Sequence, residues 1–419
     1  MNRSMRREYM WAALALFVPL LCLPTASAQT AFGIGNLVVL RVADRTLGSA
    51  QSVQIREYRT STTSLGTAIQ TIAVPASSTD SNRFAISGSA TAGGNLSLNP
   101  NGTITFAGYR AAMNDPNPIT TLSSSVNRVI GSLDLSTGIV NTNVGTLAFD
   151  NLHFRSVATA DGVRFYLSGQ NGSALGFPAV QIATVVGGLP STITTLAATT
   201  SLVARTHNLT QIQVVNGNLF ASSRTTTLLD RSIQQIGTGL PTTTGQTLSA
   251  SFPSQTITDQ YNSFAFARLG AGTSWNNTGF DTIYAVDNDT ASSSTVQKWS
   301  FDGTSWNATG NINVLGANNI AIRQNSPVSV DLFVTTQTDV ATTLSTIRAI
   351  TDTSGFSGTM SGSFTTILTG TGNEGFLGIA YTPVPEPGTV LAISAATLAF
   401  VGSVRRMRNR KQKHSTLAS

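Results

Sequence analysis

Short apolar segments recur along this chain at intervals of roughly 50 to 65 residues, and this recurrence restricts the folds that the chain can adopt. Each segment is rich in β-branched and aromatic residues and ends in small or polar residues, as β-strands do. The six segments are NLVVLRVAD from Asn36, GTITFAGY from Gly102, GVRFYLSG from Gly162, GNLFASS from Gly217, DTIYAVDND from Asp281 and VDLFVTT from Val330. The recurrence predicts a repeated β-structured unit with loops of variable length.

Partner strands accompany these six cores. Several cores are followed by a polar loop and a second alternating strand, such as TVQKWSFDG or STIRAITDTSG, which is a hairpin pattern. A further strand precedes several of the cores, as in LHFRSVATADG, YNSFAFARLG and NNIAIRQNSP. A sheet of three or four strands cannot bury both faces alone, so such units must stack. The pattern predicts an all-β, β-propeller-like domain of six or seven blades over residues 29–382, with a β-solenoid or two β-sandwich domains as alternatives.

Two further segments fit a closed ring. GFLGIAYTP, from Gly375, resembles another leading strand with no blade after it, and we expect it to pair with the first blade and remove an exposed edge. Asn114–Val126 is rich in Pro and Ser and is predicted to be a long loop in the second unit. Helices are expected only at the two termini.

The charge of the chain is concentrated at its ends. The formal net charge is +6, with 25 basic and 19 acidic residues. Without the three arginines and one glutamate of the first 28 residues, and the six basic residues beyond Val404, 16 basic and 18 acidic residues remain. Because the basic residues of this body are scattered singly, a nucleic-acid partner is not expected.

The N-terminus has the pattern of a secretory signal peptide over residues 1–28. Three arginines precede an apolar stretch, and small residues stand at Ala26 and Ala28, so cleavage is predicted after Ala28. Cys22 raises lipoprotein processing as an alternative, which the large Leu21 disfavours, and an uncleaved anchor is a second alternative. Cleavage after Ala28 would leave a mature chain without a thiol.

The C-terminus has the pattern of a membrane-spanning helix over residues 388–404. These seventeen residues carry no charge, and as a helix they would span about 26 Å. A basic cluster follows, which by the positive-inside rule would lie in the cytoplasm and leave the body outside. Its members are Arg405, Arg406, Arg408, Arg410, Lys411 and Lys413.

The segment before this helix completes a tripartite pattern over residues 383–413. Val384, Pro385, Glu386 and Pro387, an apolar stretch and a basic end together resemble the PEP-CTERM sorting domain of exported bacterial proteins. The resemblance implies recognition of the Pro-Glu-Pro motif by an exosortase, a polytopic membrane cysteine protease. The two prolines would hold the motif extended. The chain departs from the family in its interrupted basic cluster and in a short tail at residues 414–419.

Other motifs point to no metal or cofactor. GTGNEG, from Gly370, precedes a predicted strand rather than a helix and lacks the acid that a dinucleotide site requires. DNDTAS, from Asp287, departs from the EF-hand pattern, although calcium in an irregular loop stays an alternative. His153 and His207 each lie fifteen residues before a serine that ends a strand core, and are candidate channel ligands on neighbouring blades.

These patterns together predict an exported protein of the cell envelope or extracellular space, passing through the inner membrane, whose body is a non-catalytic binding module. Its ligand would be a polysaccharide, matrix or surface protein. A hydrolase or lyase acting on extracellular polysaccharide is the alternative, and it would need two converging carboxylates. Candidates for that pair are Asp161, Asp281, Asp287 and Asp331. A purely structural matrix protein is the third hypothesis.

Overall fold

The structure, a computed structural model, describes most of the predicted body. The described residues are 29–90, 92–170, 180–186, 189–196, 200–203, 208–224, 232–249, 260–270, 275, 279–288, 294–337 and 344–382. The predicted signal peptide, His207, the Pro-Glu-Pro motif, the predicted spanning helix and the basic cluster lie outside them. Within these ranges no helix is long and apolar enough to cross a membrane.

The described residues are built almost wholly from β-strands. In chain order these are β1 Asn36–Val42, β2 Ala50–Gln51, β3 Val53–Arg59, β4 Gln70–Ala73, β5 Ile86–Ser87, β6 Ser97–Leu98, β7 Thr103–Tyr109, β8 Arg128–Asp134, β9 Val140–Thr146, β10 Phe154–Thr159, β11 Arg164–Gly169, β12 Val180–Thr184, β13 Thr194–Leu196, β14 Thr200–Val203, β15 Leu209–Val215, β16 Asn218–Ser223, β17 Ile233–Ile236, β18 Leu248–Ser249, β19 Tyr261–Ala267, β20 Thr282–Asp287, β21 Thr295–Phe301, β22 Trp306–Asn313, β23 Ala317–Ser326, β24 Ser329–Thr336, β25 Thr346–Asp352, β26 Thr365–Thr369 and β27 Gly375–Tyr381. A short 3₁₀ turn lies at Pro118–Thr120.

The strands form six blades, so the prediction of an all-β propeller is confirmed, with six blades. Blade 1 has the order β27-β1-β3-β4, and blade 2 the order β6-β7-β8-β9, with β13 parallel to β9 at its outer edge. Blades 3 to 6 have the orders β10-β11-β12-β14, β15-β16-β17-β18, β19-β20-β21-β22 and β23-β24-β25-β26. The six recurring cores of the sequence are the second strand of each blade, and in blades 2 to 6 the strand that precedes each core is the inner strand.

Strand β27 closes the ring, as predicted. It pairs antiparallel with β1 from Leu37↔Tyr381 to Val42↔Gly375. GFLGIAYTP is therefore the inner strand of blade 1 rather than a copy of the cores. Thr382 fastens the closure, because its hydroxyl accepts the Asn36 N–H at 2.8 Å and donates to the Gly33 carbonyl at 2.8 Å.

The predicted loop at Asn114–Val126 lies in the connection between β7 and β8, where a buried arginine anchors it. Arg128 is fully buried and stands 5.2 Å over the Tyr109 ring. Its guanidinium donates to five backbone carbonyls, those of Ile119, Thr121, Val126, Phe149 and Leu152. Three of these carbonyls, those of Ile119, Thr121 and Val126, belong to the long loop, which Arg128 thereby holds against the core.

Apolar side chains from neighbouring blades share each layer of core. One cluster contains Val38 and Ile55 of blade 1 with Phe106 and Val129 of blade 2, all almost fully buried. Another joins Val286 of blade 5 to the strands of blade 6. Each sheet therefore buries its faces against the next, which is why no blade is expected to fold alone.

A buried ion pair also joins blades 5 and 6. Lys298 of β21 is fully buried, and its Nζ lies 3.0 Å from Oδ2 of Asp352 in β25. Tyr284 donates to the same carboxylate at 2.6 Å, and the Ser354 hydroxyl donates to its Oδ1 at 2.6 Å. Burial alone would raise the pKa of Asp352, but hydrogen bonds from Ser354, Tyr284 and Lys298 lower it on balance.

We predict that Asp352→Asn lowers the free energy of unfolding by about 3 kcal/mol, because it leaves the Lys298 ammonium buried without its counter-charge. Urea denaturation at pH 7 measures this. A carboxyl whose pKa is lower in the folded chain stabilises the fold above its unfolded value of about 3.9, and this is lost as the pH falls through the folded value. As the pH is lowered, the free energy of unfolding of the variant should therefore fall less than that of the wild type. Asp80→Asn, in a surface turn, is the control, and equal stability of both variants would contradict the prediction.

Candidate functional site

The inner strands are joined to one another by side chains rather than by a continuous backbone ladder. At five seams in the described ring, a side-chain oxygen of one inner strand accepts a backbone N–H of the next inner strand. The acceptor and donor residues are Asn99 with Thr159, Ser156 with Ile212, Gln211 with Phe264, Ser263 with Ile320 and Asn319 with Ile379, at 2.8–3.2 Å.

The sixth seam, between blades 1 and 2, is closed by glycine. A Cβ on Gly378 of β27 would lie 2.2 Å from the Gly94 carbonyl oxygen, and a Cβ on Gly94 would lie 2.7 Å from the Leu377 Cβ. Gly94 also has a φ of +76°, which other residues rarely adopt. Direct approach of two backbones therefore replaces the side-chain acceptor at this seam.

Polar side chains close the middle of the channel. The Ser97 hydroxyl of blade 2 donates to the Ile212 carbonyl of blade 4 at 2.8 Å, and Asn319 of blade 6 donates to Asn95 of blade 2 at 2.6 Å. These bonds join blades that are not neighbours. We call this layer the polar belt, and its members, each at most 1% exposed, are Asn95, Ser97, Ser156, Gln211, Ser263 and Asn319.

A cavity of about 660 Å³ lies on the side of the belt where the inner strands end. We call it the lower cavity. It is lined by residues of five inner strands, together with the N-terminal segment at Phe32 and Ile34. Its walls are mostly apolar, and Phe266 and Phe280 form a stacked pair there with ring centroids 5.8 Å apart. No charged side chain is among its described lining residues.

Two polar groups in the lower cavity keep hydrogen-bonding capacity. Gln213 donates to the Phe264 carbonyl at 3.0 Å, but its Oε1 accepts no hydrogen bond from the described residues. The Tyr381 hydroxyl, for which burial raises the pKa, also makes none to that part of the chain. A carbonyl-type acceptor and a hydroxyl therefore accompany the aromatic walls, a combination that suits a neutral ligand with apolar faces.

The opposite side of the belt, where the inner strands begin, is polar and cationic. We call it the upper mouth. His153 and Arg155 lie there at the start of β10, both 7% exposed. Burial, together with Arg155, Arg128 and Arg224, lowers the pKa of His153 well below its usual value. His153 is therefore neutral at physiological pH.

Strand pairing gives His153 a different equivalent in blade 4 from His207, the residue predicted by equal spacing in the sequence. The His153 carbonyl accepts the Gln170 N–H at 2.9 Å, and the Asn208 carbonyl accepts the Arg224 N–H at 2.8 Å. The equivalent of His153 in blade 4 is thus Asn208, one residue after His207. The hairpin between β10 and β11 is one residue longer than the hairpin between β15 and β16, since Val157 pairs with Leu167 and the equivalent Ile212 pairs with Ala221. Equal spacing to Ser168 and Ser222 therefore misaligned the two histidines.

The four carboxylates considered for catalysis are each held by their own neighbours. Asp161 pairs with Arg164 at 2.9 Å in a hairpin turn, and Asp331 pairs with Arg323. Asp281 accepts the backbone N–H groups of Leu269 and Gly270. Asp287 accepts the Gln260 N–H at 2.7 Å. None of the four is among the described residues that line the lower cavity.

The described residues also contain no group of three His, Cys, Asp or Glu side chains that could hold a metal ion.

Comparison with known proteins finds only distant structural likeness. No family model and no curated protein matches this chain. A solved structure of a 6-phosphogluconolactonase candidate from Bacteroides uniformis is 12% identical, with a TM-score of 0.43, covering 80% of this chain and 82% of that one. A mutant of AofleA from Arthrobotrys oligospora, in which three arginines are replaced by alanine, is 12% identical, with a TM-score of 0.44. The match covers 85% of this chain and 92% of that one. A chain of a nidogen/laminin complex is 11% identical, with a TM-score of 0.41. The match covers 82% of this chain and 98% of that one. Such distant likeness assigns no site.

We predict that Gln211→Leu lowers the free energy of unfolding by about 1–3 kcal/mol, because the buried N–H of Phe264 then loses its acceptor. Thermal and urea denaturation measure this. Gln324→Leu is a matched control, since Gln324 also accepts a backbone N–H of the neighbouring blade, that of Arg268 at 3.1 Å, but is exposed. In Gln324→Leu, water can accept the Arg268 N–H instead. We therefore expect the free energy of unfolding to change by no more than about 0.5 kcal/mol. An equal cost for both variants would show that the belt has no special role.

Proposed function

We propose that this chain is an exported, non-catalytic binding propeller that holds a neutral glycan in the lower cavity. The observation that carries the proposal is the composition of that cavity: aromatic and aliphatic walls, a half-buried amide and a hydroxyl, and no charge among the described lining residues. Its volume of about 660 Å³ lies in the range of small-molecule sites.

The aromatic side chains are placed to contact the apolar faces of sugar rings. Phe266 is 9% exposed and is backed by Trp275 in a stacked arrangement with centroids 5.8 Å apart. Phe280 and Tyr381 are half-buried and line the same space. Rings that are fixed by packing lose little conformational freedom when a ligand binds. Gln213 Oε1 and the Tyr381 hydroxyl would then fix the orientation of ligand hydroxyl groups.

The hydrolase or lyase hypothesis finds no comparable support in the described residues. Glycan cleavage by paired carboxylates needs both groups beside one glycosidic bond. The four candidate aspartates instead bond to separate parts of blades 3, 5 and 6. A purely structural matrix role would require no cavity. Binding without catalysis therefore accounts best for the geometry.

Export and sorting complete the proposal. The signal peptide would deliver the chain across the inner membrane, and an exosortase-type protease would recognise Pro385, Glu386 and Pro387. Support comes from the ring closure, because β27 ends at Tyr381, before this motif. Cleavage beyond the motif would leave every strand of the propeller in place. The mature product would reside in the cell envelope or outside the cell.

We predict that the protein binds neutral hexasaccharides and that Phe280→Ala weakens the binding about threefold to tenfold, the range for losing one aromatic contact. Isothermal titration calorimetry with cellohexaose, laminarihexaose and maltohexaose measures this. Phe301→Ala is the matched control, since Phe301 is a half-buried aromatic of the same blade that packs on Trp306 and does not line the cavity. Absence of binding to all three, or equal affinity of both variants, would refute the glycan proposal.

We further predict that molecules recovered from the envelope and medium lack everything beyond the Pro-Glu-Pro region, and that Glu386→Ala retains the C-terminus. Intact-mass analysis measures both. Ser415→Ala, in the tail, should be processed like the wild type. Retention of the six basic residues on all mature wild-type molecules would contradict the sorting proposal and leave the glycan proposal unaffected.

A further inference from the structure

The upper mouth contains a buried cation for which the described residues provide no counter-charge. Arg155 is 7% exposed. Its Nε donates to Nδ1 of His153 at 3.4 Å, and its Nη1 donates to Asn208 Oδ1 and to the Leu209 carbonyl. All of these acceptors are neutral. Arg155 forms no ion pair with the described residues, and its Nη2 donates to none of them.

His153 adds a second unused donor beside it. Because Nδ1 accepts from Arg155, the neutral imidazole carries its hydrogen on Nε2. This Nε2–H has no acceptor in the described part of the chain. Gly93 lies close to this nitrogen, because a Cβ built on Gly93 would be 3.2 Å from Nε2. Two adjacent and largely buried side chains therefore keep donors that no described residue accepts: the two N–H groups of Arg155 Nη2 and the Nε2–H of His153.

The neighbouring charges have the same sign. Arg224 donates to Gln260 at 3.1 Å and to the Asn288 carbonyl at 3.3 Å on the same side of the ring. Burial lowers the pKa of Arg155 to about 9, and repulsion from Arg224 contributes to the shift. A buried cation next to another cation destabilises the fold unless an anion compensates it.

Two other cations of the described chain show how such a charge is compensated. The buried Lys298 pairs with Asp352, and the partly buried Arg41 pairs with Glu374. Arg128 has no carboxylate at contact distance, but all three of its nitrogens donate to carbonyls. Arg155 has neither arrangement. Arg155 is therefore a buried cation to which the described residues offer no partner of opposite charge.

We propose that the upper mouth binds an oxyanion, the carboxylate of an acidic sugar or an inorganic oxyanion such as sulfate, between Arg155 Nη2 and His153 Nε2. Arginine donors suit such planar or tetrahedral oxygens, and the charge of Arg224 would strengthen the attraction. The site is separate from the lower cavity, since the polar belt lies between them. It would add recognition of an acidic group to a protein whose lower cavity suits neutral sugars.

The test measures the melting temperature of the full-length protein against sodium sulfate and sodium galacturonate, with sodium chloride holding the ionic strength constant. We expect a saturable rise with at least one of the two, because a ligand that binds only the folded state stabilises it. Galactose is the neutral control and should give no rise. A rise with sulfate alone would identify a free inorganic oxyanion, and a stronger rise with galacturonate an acidic sugar.

Variants separate specific binding from general salt effects. Arg155→Met should lose the saturable rise and, in anion-free buffer, should be no less stable than the wild type, because it removes a buried uncompensated charge. Arg59→Met removes an exposed arginine elsewhere and should keep the rise. Arg155→Lys, which keeps the charge but fewer donors, should bind at least fivefold more weakly. No saturable rise in the wild type, or an undiminished rise in Arg155→Met, would overturn the proposal. Neither result depends on neutral hexasaccharide binding.

Discussion

Side-chain hydrogen bonds between consecutive inner strands are the interaction on which the rest of this ring depends. Each inner strand has one edge paired within its blade and another edge turned toward the channel. An N–H on that second edge, buried without an acceptor, costs about 1–3 kcal/mol. Asn, Ser and Gln side chains of the neighbouring blade supply the acceptors at five described seams. Because these side chains also reach across the channel, satisfying the strand edges closes the middle of the ring.

The closed middle gives the two ends of the channel different chemistry. Along β10 the sequence runs from His153 and Arg155 to Val157 and Ala158, and along β19 from Asn262 and Ser263 to alternating alanine and phenylalanine. Inner strands all run in one direction through a propeller, so a polarity gradient shared by such strands becomes a gradient along the axis. A polar and cationic upper mouth and an apolar lower cavity follow from this repetition.

Sequence patterns predicted the blades better than the channel. The six cores are apolar along their length because they are the second strands, buried on both faces between blades. Inner strands carry Asn, Ser and Gln at their centres, so their period-2 signal is broken and several were recognised only beside a core. The exception, β27, resembled a core because its seam uses Gly378 instead of a polar acceptor.

The sequence did not indicate Gln213, Phe266 and Phe280 as cavity residues, since nothing local shows that five inner strands bring such residues into one cavity. Matching His153 with His207 by spacing missed the equivalent Asn208 for a related reason: one extra residue in the hairpin between β10 and β11 changes the residue count without changing the strands.

The position of the chain ends links the lower cavity to sorting. Gly35 donates to the Thr382 carbonyl at 3.0 Å, so both ends of the described chain leave blade 1 on the lower side, where Phe32, Tyr381 and Thr382 line the cavity. Five residues separate Thr382 from the predicted spanning segment at Gly388, a covalent reach of at most about 20 Å. Under the proposed sorting, the uncleaved chain would therefore hold its lower cavity toward the membrane and its upper mouth away from it. Cleavage would release that restraint, so a polymer too large to enter between propeller and bilayer would reach the lower cavity only after processing. The two sites would then become available at different stages of export, the upper mouth first.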